Sequence, residues 1–427
     1  MVSAVLFGSL AIFIFLNVPV GIAIGLASAT AIATGSTLSH GYLAQTLVSS
    51  TDSFPIMAIP LFILAGELMA AGGVSRRILN AANVFFGRIT GGLAIVTIVV
   101  CMFFAAVSGS GPATVAAVGG MVVPTMLREG YSKSFSLALI AAAGSIGVII
   151  PPSIPMVIYG VTTSTSISNL FLAGFGPGLL IGLSLITWSY FYCRRKGWGG
   201  TKEDFDCKLA MSHIWEAKWA LLNPLIILGG IYAGIFTPTE AAAIASVYAF
   251  VCGVFIHREL SWKDVLNPID RACNTTGTTM VILGCASAFT RILTIEQIPL
   301  MITDFLVHIT SNGILIMLII NVLLLLVGCV MDTTPAILVL APILYPVAAS
   351  VGVDPIHFGI IMVVNLAIGF ITPPLGLNLF VAARVGQASL EAVSRGIVPF
   401  IAVMVLCLLA ITYVTPIPMT LVEFFAN

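Results

Sequence analysis

The chain has 427 residues, of which 59% are hydrophobic and only 8% are charged, and its formal net charge is zero. Soluble domains carry roughly 25% charged residues, so this composition excludes an ordinary soluble protein and indicates a polytopic membrane protein. Zero net charge leaves no electrostatic basis for binding nucleic acid. The eight cysteines are scattered without a C-x-x-C pair and are interpreted as small hydrophobic residues rather than metal ligands.

The apolar segments, taken in chain order, predict an all-α fold. A bilayer crossing needs about 20 apolar residues. Candidate segments lie near residues 2–16, 18–36, 56–72, 90–127, 134–160, 170–193, 219–235, 238–256, 272–292, 312–348, 357–382 and 396–420. The first lysine or arginine is Arg76, so a cleaved signal peptide is not expected and the first segment is interpreted as a span. The segments 90–127 and 312–348 are too long for one crossing.

One long polar stretch, residues 194–218, separates two halves. It holds six of the 17 lysines and arginines, and the positive-inside rule therefore predicts that this linker is cytoplasmic. The sequence divides into residues 1–193 and 219–427 on either side of it. The N- and C-termini are both expected on the periplasmic side.

The two halves resemble each other. The pair Pro151-Pro152 in "GSIGVIIPPSIPM" recurs 222 positions later as Pro373-Pro374 in "LAIGFITPPLGLN". The same spacing relates three further pairs, which are Pro124 and Pro346, Gly130 and Gly352, and Gly147 and Gly369. The coincidence of several pairs at one spacing predicts an internal repeat.

Charge indicates that the repeat is inverted. Basic residues flank the overlong segment 90–127, whereas the matching flanks in the second half are acidic and carry no lysine or arginine between Arg291 and Arg384. Opposite charge at equivalent ends predicts opposite orientation in the membrane, as in the inverted repeats of secondary transporters.

The overlong segments are then predicted to be re-entrant hairpins. Residues 90–127 enter from the cytoplasm and turn near Ser108–Pro112, and residues 312–348 enter from outside and turn near residues 331–335. Irregular backbone at membrane depth is tolerated only where it is buried in protein or lines a cavity. We therefore expect the two tips to face one polar site.

Two further segments, 134–160 and 357–382, are predicted to be broken helices, because proline inside a helix removes a hydrogen bond and clashes with the preceding turn. Helix-breaking prolines stand in the hairpins and in these segments: Pro112, Pro151, Pro152, Pro335, Pro373 and Pro374. The breaks free backbone carbonyls around Gly144–Ile150 and Asn365–Thr372 to coordinate a cation.

Oxygen ligands of mostly neutral type suit Na⁺ better than a transition metal. Hydroxyl groups near the breaks belong to Ser108, Ser110, Thr333, Thr334 and Thr372. Each of these hydroxyls has the alternative of bonding to its own helix. Asp332 is the only carboxylate near either tip, and an ionisable group at membrane depth is expected to be functional. The residues by themselves therefore predict an ion-coupled transporter.

Three other charged residues lie near membrane depth. Arg291 is a candidate cationic contact for a carboxylate, with snorkelling to the external interface as the alternative. Glu240 follows Pro238 at a predicted helix start and is interpreted as structural, because a carboxylate there compensates free N–H groups. The role of Glu67 stays open.

Four motifs carry a family resemblance that runs over nearly the whole chain. They are "SGSGPATVAAVGG", "AAGSIGVIIPPSIPMVIYG", "GGIYAGIFTPTEAAAIASVYAF" and "NLAIGFITPPLGLNLFVA". Together they resemble the large membrane subunit of the tripartite ATP-independent periplasmic (TRAP) transporters. The resemblance implies Na⁺-coupled import of a carboxylate, such as a C4-dicarboxylate, a keto acid or a sialic acid, across the bacterial inner membrane by an elevator motion. It implies no cofactor beyond Na⁺, and two partners: a periplasmic binding protein and a small four-helix membrane subunit on a separate chain.

The resemblance also implies site residues. Na⁺ ligands would come from Ser108, Gly109, Ser110, Gly144, Ser145, Gly147, Asp332, Thr333, Thr334, Gly369 and Thr372. Solute contacts would come from Ser110, Ser153, Asn365 and Asn378, with Arg291 as the candidate noted above.

Other function classes fit less well. No Lys-Ser/Thr follows Gly109-Ser110-Gly111, so these residues are not a phosphate-binding loop. The five histidines lie near predicted segment ends or loops, which argues against an intramembrane serine protease, and the chain is not expected to be an enzyme. A channel with paired re-entrant loops and a single-component Na⁺/carboxylate symporter of the divalent-anion type remain as alternatives.

Overall fold

The computed structural model describes residues 2–35, 38–39, 41–200, 207–310 and 312–426. Throughout these ranges the regular structure is helical and contains no strand. Among the described residues, seven helices are long and apolar enough to cross a bilayer, and shorter apolar helices of 10–17 residues accompany them. The prediction of an all-α polytopic membrane protein is confirmed.

In the part of the chain that the structure describes, ten α-helices precede the central linker. They are α1 (Val2–Phe15), α2 (Val20–Ala33), α3 (Tyr42–Ser49), α4 (Ala58–Ala71), α5 (Val74–Phe86), α6 (Gly92–Ser108), α7 (Gly111–Arg128), α8 (Lys133–Ser145), α9 (Ile154–Thr163) and α10 (Ile167–Lys196). A short 3₁₀ turn, Phe54–Met57, leads into α4, and another, Ile146–Val148, follows α8.

Ten more α-helices follow the linker within the described residues. They are α11 (Cys207–Tyr232), α12 (Pro238–Val251), α13 (Leu266–Ile295), α14 (Ile298–Ile309), α15 (Gly313–Gly328), α16 (Thr333–Ser350), α17 (Pro355–Gly369), α18 (Leu377–Val385), α19 (Leu390–Tyr413) and α20 (Pro416–Ala426). One turn of π-helix, Cys252–Ile256, extends α12.

Helix ends fall at the four predicted breaks. The pairs α6–α7 and α15–α16 are each joined by a few residues, and the pairs α8–α9 and α17–α18 are interrupted near Pro151-Pro152 and Pro373-Pro374, whose peptide bonds are cis. The order from α6 to α9 is thus the order from α15 to α18, with glycine and proline supplying the interruptions in both cases.

The helices can be divided into two sets, called here the two helix groups, which each draw on both halves of the sequence and which pack against each other through α13 and α16. In the first group α4 packs against α12 and α13, and α13 also packs against α2 and α3. In the second group α7 and α8 pack against α18, α8 packs against α19, and α9 packs against α16. The ranges 1–193 and 219–427 are therefore interleaved in space rather than being two separate bodies.

Helices occupy both ends of the predicted linker, residues 194–218. Helix α10 continues to Lys196 and α11 begins at Cys207, while residues 201–206 of the predicted linker lie outside the described residues. The stretch "MSHIWEAKW" (211–219) is rich in residues that favour helix, and the Lys218 ammonium lies 3.2 Å from the centre of the Trp215 ring. This polar segment therefore continues directly into the apolar part of α11.

The start of α12 confirms the structural role of Glu240. Its carboxylate accepts a hydrogen bond from the Thr237 backbone N–H at 2.8 Å, and the Thr237 hydroxyl accepts one from the Glu240 N–H at 3.3 Å. This reciprocal capping box, with Pro238 in the first turn, satisfies two N–H groups that the helix itself leaves free.

Helix α16 contains Pro342 and Pro346. Each proline lacks the N–H that would bond to the carbonyl four residues earlier, so Pro342 frees the carbonyl of Leu338. The Thr290 hydroxyl of α13 donates to that carbonyl at 3.0 Å. This hydrogen bond links the two helix groups.

We expect Thr290→Val to destabilise the protein, because the Leu338 carbonyl then loses its donor. Interhelical hydrogen bonds of this kind in membrane proteins are worth about 0.6–2 kcal/mol. Thr294→Val is the matched control, since within the described residues the Thr294 hydroxyl bonds to its own helix, donating to the Thr290 carbonyl at 2.9 Å. Thermal unfolding in detergent should give a lower midpoint for Thr290→Val than for Thr294→Val. Equal midpoints would contradict this role for Thr290.

Candidate functional site

The first tip is the turn between α6 and α7. The Ser108 and Thr114 hydroxyls lie 3.1 Å apart and share a hydrogen bond, and the Thr114 hydroxyl also donates to the Ser110 carbonyl at 2.8 Å. Gly109 has a φ of +57°, and a Cβ there would lie 2.8 Å from the Pro152 carbonyl oxygen. Only glycine fits both the left-handed backbone and this close approach. The tip therefore packs directly on the first helix break.

Oxygen atoms of the first break and of α18 surround the start of α7. A Cβ on Gly111 would lie 3.3 Å from Asn378 Oδ1 and 3.4 Å from the Gly144 carbonyl oxygen. Gly147 is equally close to the tip, because a Cβ there would lie 2.8 Å from the Ser110 carbonyl oxygen. Asn378 is fully buried, and its Nδ2 donates to the Ala141 carbonyl at 3.3 Å.

The side-chain oxygen of Asn378 lacks a hydrogen-bond partner in the described ranges. Within the described residues Asn378 Oδ1 is buried and accepts no hydrogen bond. Leaving a buried polar atom without a partner is costly. An unpaired amide oxygen that lies, like the Gly144 carbonyl, close to Gly111 fits a hard cation such as Na⁺, which prefers neutral and anionic oxygen ligands.

The second tip is the turn between α15 and α16. Asp332 caps α16, and its Oδ1 accepts from the Thr333 backbone N–H at 2.6 Å. The tip packs on the second break as the first tip packs on the first: a Cβ on Gly328 would lie 3.1 Å from the Gly369 Cα, and the Cys329 carbonyl accepts from the Gly376 N–H at 3.4 Å.

Both tips line the same small cavity. It has a volume of about 90 Å³, and its wall includes Ser110 and Pro112 from the first tip and Asp332, Thr333 and Thr334 from the second. Thr275 and Thr279 of α13 complete the polar part of the wall. The structure thus brings the two tips together at the boundary between the two helix groups.

A larger cavity of about 580 Å³ shares Ser110, Thr275 and Asp332 with the small one. Its wall also contains Ser108 from the first tip and two charged residues, Arg271 of α13 and Glu67 of α4. The Arg271 Nε donates to Glu67 Oε2 at 2.7 Å. A positive group and several hydroxyls therefore surround a space large enough for a small organic solute.

Some predicted site residues bond elsewhere. The hydroxyl groups of Ser145, Ser153 and Thr372 donate to the carbonyls of Ala142, Val148 and Ile368 at 2.7, 2.6 and 2.8 Å. These hydroxyls donate hydrogen bonds near their own helix ends and keep their lone pairs as acceptors, so the assignment of these residues to the site stays a prediction.

Asn365 and Arg291 also lie away from the cavities. The Asn365 Nδ2 donates to Asn321 Oδ1 at 2.8 Å, and the Asn321 Nδ2 donates to the Thr412 hydroxyl at 3.1 Å, so this buried amide network faces α15 and α19. Like Asn378 Oδ1, Asn365 Oδ1 is buried and accepts no hydrogen bond within the described residues. Arg291 is exposed and lines neither cavity. It lies 20 residues after Arg271 on the same helix, a separation of about 30 Å.

Sequence reasoning missed Arg271, Thr275 and Thr279. The predicted span began at residue 272, whereas α13 is 30 residues long and begins at Leu266. The sequence pattern that could have identified them is their spacing of four residues, which places the three side chains along one face of a helix. A polar stripe on a helix of membrane-spanning length indicates a buried or water-filled wall.

Comparison with known proteins identifies the family of the chain. The chain matches the family model described as "Tripartite ATP-independent periplasmic transporter, DctM component" over residues 7–417. The isethionate TRAP transporter permease protein DctMQ of Oleidesulfovibrio alaskensis is 52% identical over 423 residues, which are 99% of this chain and 66% of that longer protein. The C4-dicarboxylate TRAP transporter large permease protein DctM of Pseudomonas aeruginosa is 41% identical, with 93% of each chain covered.

A solved structure shares the fold. The crystal structure of the Alcanivorax borkumensis YdaH transporter superposes with a TM-score of 0.64 at 16% identity, covering 95% of this chain and 98% of that chain. At this identity the likeness concerns the fold alone. From the family match over residues 7–417 and the relatives, the chain belongs to the DctM component family of the tripartite ATP-independent periplasmic transporters, whose members are multi-pass large permeases.

Proposed function

We propose that this chain is the permease of a Na⁺-coupled importer for a small organic anion in the bacterial inner membrane. The observation that carries the proposal is the cavity in which both tips meet beside the guanidinium of Arg271. The relatives named above are described as transporting isethionate, which is a sulfonate, and C4-dicarboxylates. The proposed solute class is therefore a carboxylate or a sulfonate.

Charge in the larger cavity supports coupling to Na⁺. Its described wall has two acidic side chains, Glu67 and Asp332, and one basic side chain, Arg271. With both carboxylates ionised, the wall has an excess of negative charge that opposes an entering anion. Na⁺ bound beside Asp332 removes that excess, so the cation must bind before the solute is held firmly.

Two groups of oxygen atoms are the proposed Na⁺ ligands. At the first tip these are the Ser108 and Ser110 oxygens, the Gly144 carbonyl and Asn378 Oδ1. At the second tip they are the oxygens of Asp332, Thr333 and Thr334, with carbonyls of the Gly369–Thr372 break. The assignment of Asn378 to an ion rather than to the solute is supported by its burial and its unpaired oxygen.

The proposed transport cycle is an elevator motion within an inverted repeat. The equal order of α6–α9 and α15–α18 supports the repeat, and the position of the cavities between the two helix groups supports movement of one group against the other. In this proposal the tips are re-entrant, the linker 194–218 is cytoplasmic and both termini are periplasmic. A periplasmic binding protein and a small four-helix subunit on a separate chain complete the transporter.

Reconstitution tests the proposal. We expect proteoliposomes that contain this chain and the small subunit, supplied with the binding protein, to accumulate isethionate, succinate or sialic acid only under an inward Na⁺ gradient. Equal uptake by the chain alone would favour a single-component symporter instead. Flux that dissipates a solute gradient without Na⁺ dependence would favour a channel.

A further inference from the structure

The ion pair between Arg271 and Glu67 is open to the larger cavity. The exposed fractions of the side chains are 54% for Arg271 and 24% for Glu67. Arg271 engages Glu67 through Nε, and within the described residues no acceptor binds its two Nη nitrogens. The adjacent Asp270 accepts instead from the Asn274 amide at 3.3 Å. The guanidinium therefore keeps donors available on the side of the cavity.

We propose that Glu67 is an exchangeable counter-anion, which the anionic group of the solute displaces from Arg271. This inference rests on the proposed function. A guanidinium binds a carboxylate or sulfonate best through two parallel N–H donors, whereas Glu67 uses one. A solute that takes both Nε and an Nη makes the stronger contact and releases Glu67.

The positions of the two residues fit this role. Glu67 lies on α4 and Arg271 on α13, helices that pack against each other in the first helix group. Ser110 and Asp332, on the tips, approach the same cavity from the second group. A solute held by Arg271 and by the tips therefore contacts both helix groups at once. When the solute leaves, Arg271 and Glu67 are both still on the first group and can pair again.

Glu67 also sets the charge that the solute meets. While it is ionised, the described wall of the cavity has one more acidic than basic side chain. Glu67→Gln removes that excess, so the anionic solute meets less repulsion in the cavity. A pair that served only to hold a charged side chain at the membrane interface would have no effect of this kind on solute affinity.

The test compares Glu67→Gln, Arg271→Gln and the double variant in the reconstituted transporter, with solute and Na⁺ concentrations varied independently. Glu391→Gln is the control, because Glu391 forms a similar pair with Arg395 at 2.7 Å but on an exposed face of α19. We expect Glu67→Gln to lower the solute concentration for half-maximal uptake severalfold. Arg271→Gln should raise the solute concentration by about tenfold or more, which corresponds to about 1.4 kcal/mol or more.

The double variant tests whether the effect of Glu67→Gln depends on Arg271, as it should if the solute displaces Glu67 from that guanidinium. In the background of Arg271→Gln, the change Glu67→Gln should tighten solute binding clearly less than in the wild-type background, because the lower negative charge still acts but the guanidinium that the solute would gain is absent. If Arg271→Gln does not fold, Arg271→Lys keeps the charge without the planar fork and should still weaken solute binding. Wild-type half-saturation in both Glu67→Gln and the folded Arg271 variant would overturn the inference. Lack of Na⁺-driven anion uptake by the wild-type transporter would instead overturn the proposed function.

Discussion

Asp332→Asn should greatly weaken Na⁺-driven uptake and leave the fold intact. Asp332 caps α16 through its Oδ1 and is exposed to the cavity shared by the tips. Asparagine is as good a helix cap as aspartate, so the substitution removes the charge and keeps the hydrogen bond to Thr333. Contacts to a charged partner are worth about 1.5–3 kcal/mol, so the Na⁺ concentration for half-maximal uptake should rise about 10- to 100-fold.

Asp354→Asn is the matched control for this change. Asp354 caps α17 in the same way, with its Oδ1 accepting from the Ile356 N–H at 2.7 Å, but it lies outside both cavities. Uptake should therefore keep its Na⁺ dependence in Asp354→Asn. An unchanged Na⁺ dependence in Asp332→Asn would show that this carboxylate is not an ion ligand.

Gly109→Ala should disrupt the first tip and stop transport. A left-handed backbone costs a residue with a Cβ about 1–2 kcal/mol. At Gly109 the added methyl group also approaches the Pro152 carbonyl to 2.8 Å, and both partners are backbone, so neither yields easily. The tip must then move away from the break, which separates the oxygens of Ser108 and Ser110 from the Gly144 carbonyl.

Gly130→Ala separates the two contributions. Gly130 has a φ of +83°, and a Cβ there would meet no atom within 4 Å. Alanine at this position therefore introduces the strain of a left-handed backbone without a steric clash between its Cβ and another atom. We expect Gly130→Ala to lower the thermal midpoint modestly and to retain uptake, whereas Gly109→Ala loses uptake as well. Retained uptake in Gly109→Ala would mean that the tip does not need its contact with Pro152.

The helix breaks were the most predictable part of the fold. Proline and glycine act locally, so "SGSGP" and the two Pro-Pro pairs indicated interruptions that the structure also has. The extent of α11 and α13 was less predictable, because polar residues at the end of a membrane helix resemble a loop in composition. The contacts of these segments with neighbouring helices decide that they are helical, and such contacts are not visible in a single sequence.

The candidate site also combines residues that local sequence predicts with residues that are placed by packing between helices. Asp332 and Ser110 were predictable because each lies at a break inside an apolar segment. Arg271 was not, because its position in the cavity depends on the packing of α13 against α4. Asn365 illustrates the converse, since it lies near a break but its side chain turns towards Asn321. Proximity in sequence to a break therefore identifies candidates, and the direction of each side chain selects among them.

The two prolines inside α16 have a further geometric consequence. Pro346 removes the donor to the Pro342 carbonyl just as Pro342 removes the donor to the Leu338 carbonyl, and the two carbonyls are four residues, or about 6 Å, apart along the helix. Thr290 engages the first of them. A translation of α16 by about one turn would offer the second carbonyl to the same hydroxyl. The carbonyls of Leu338 and Pro342 are therefore two acceptors on α16, one helical turn apart, for a single hydroxyl donor on α13.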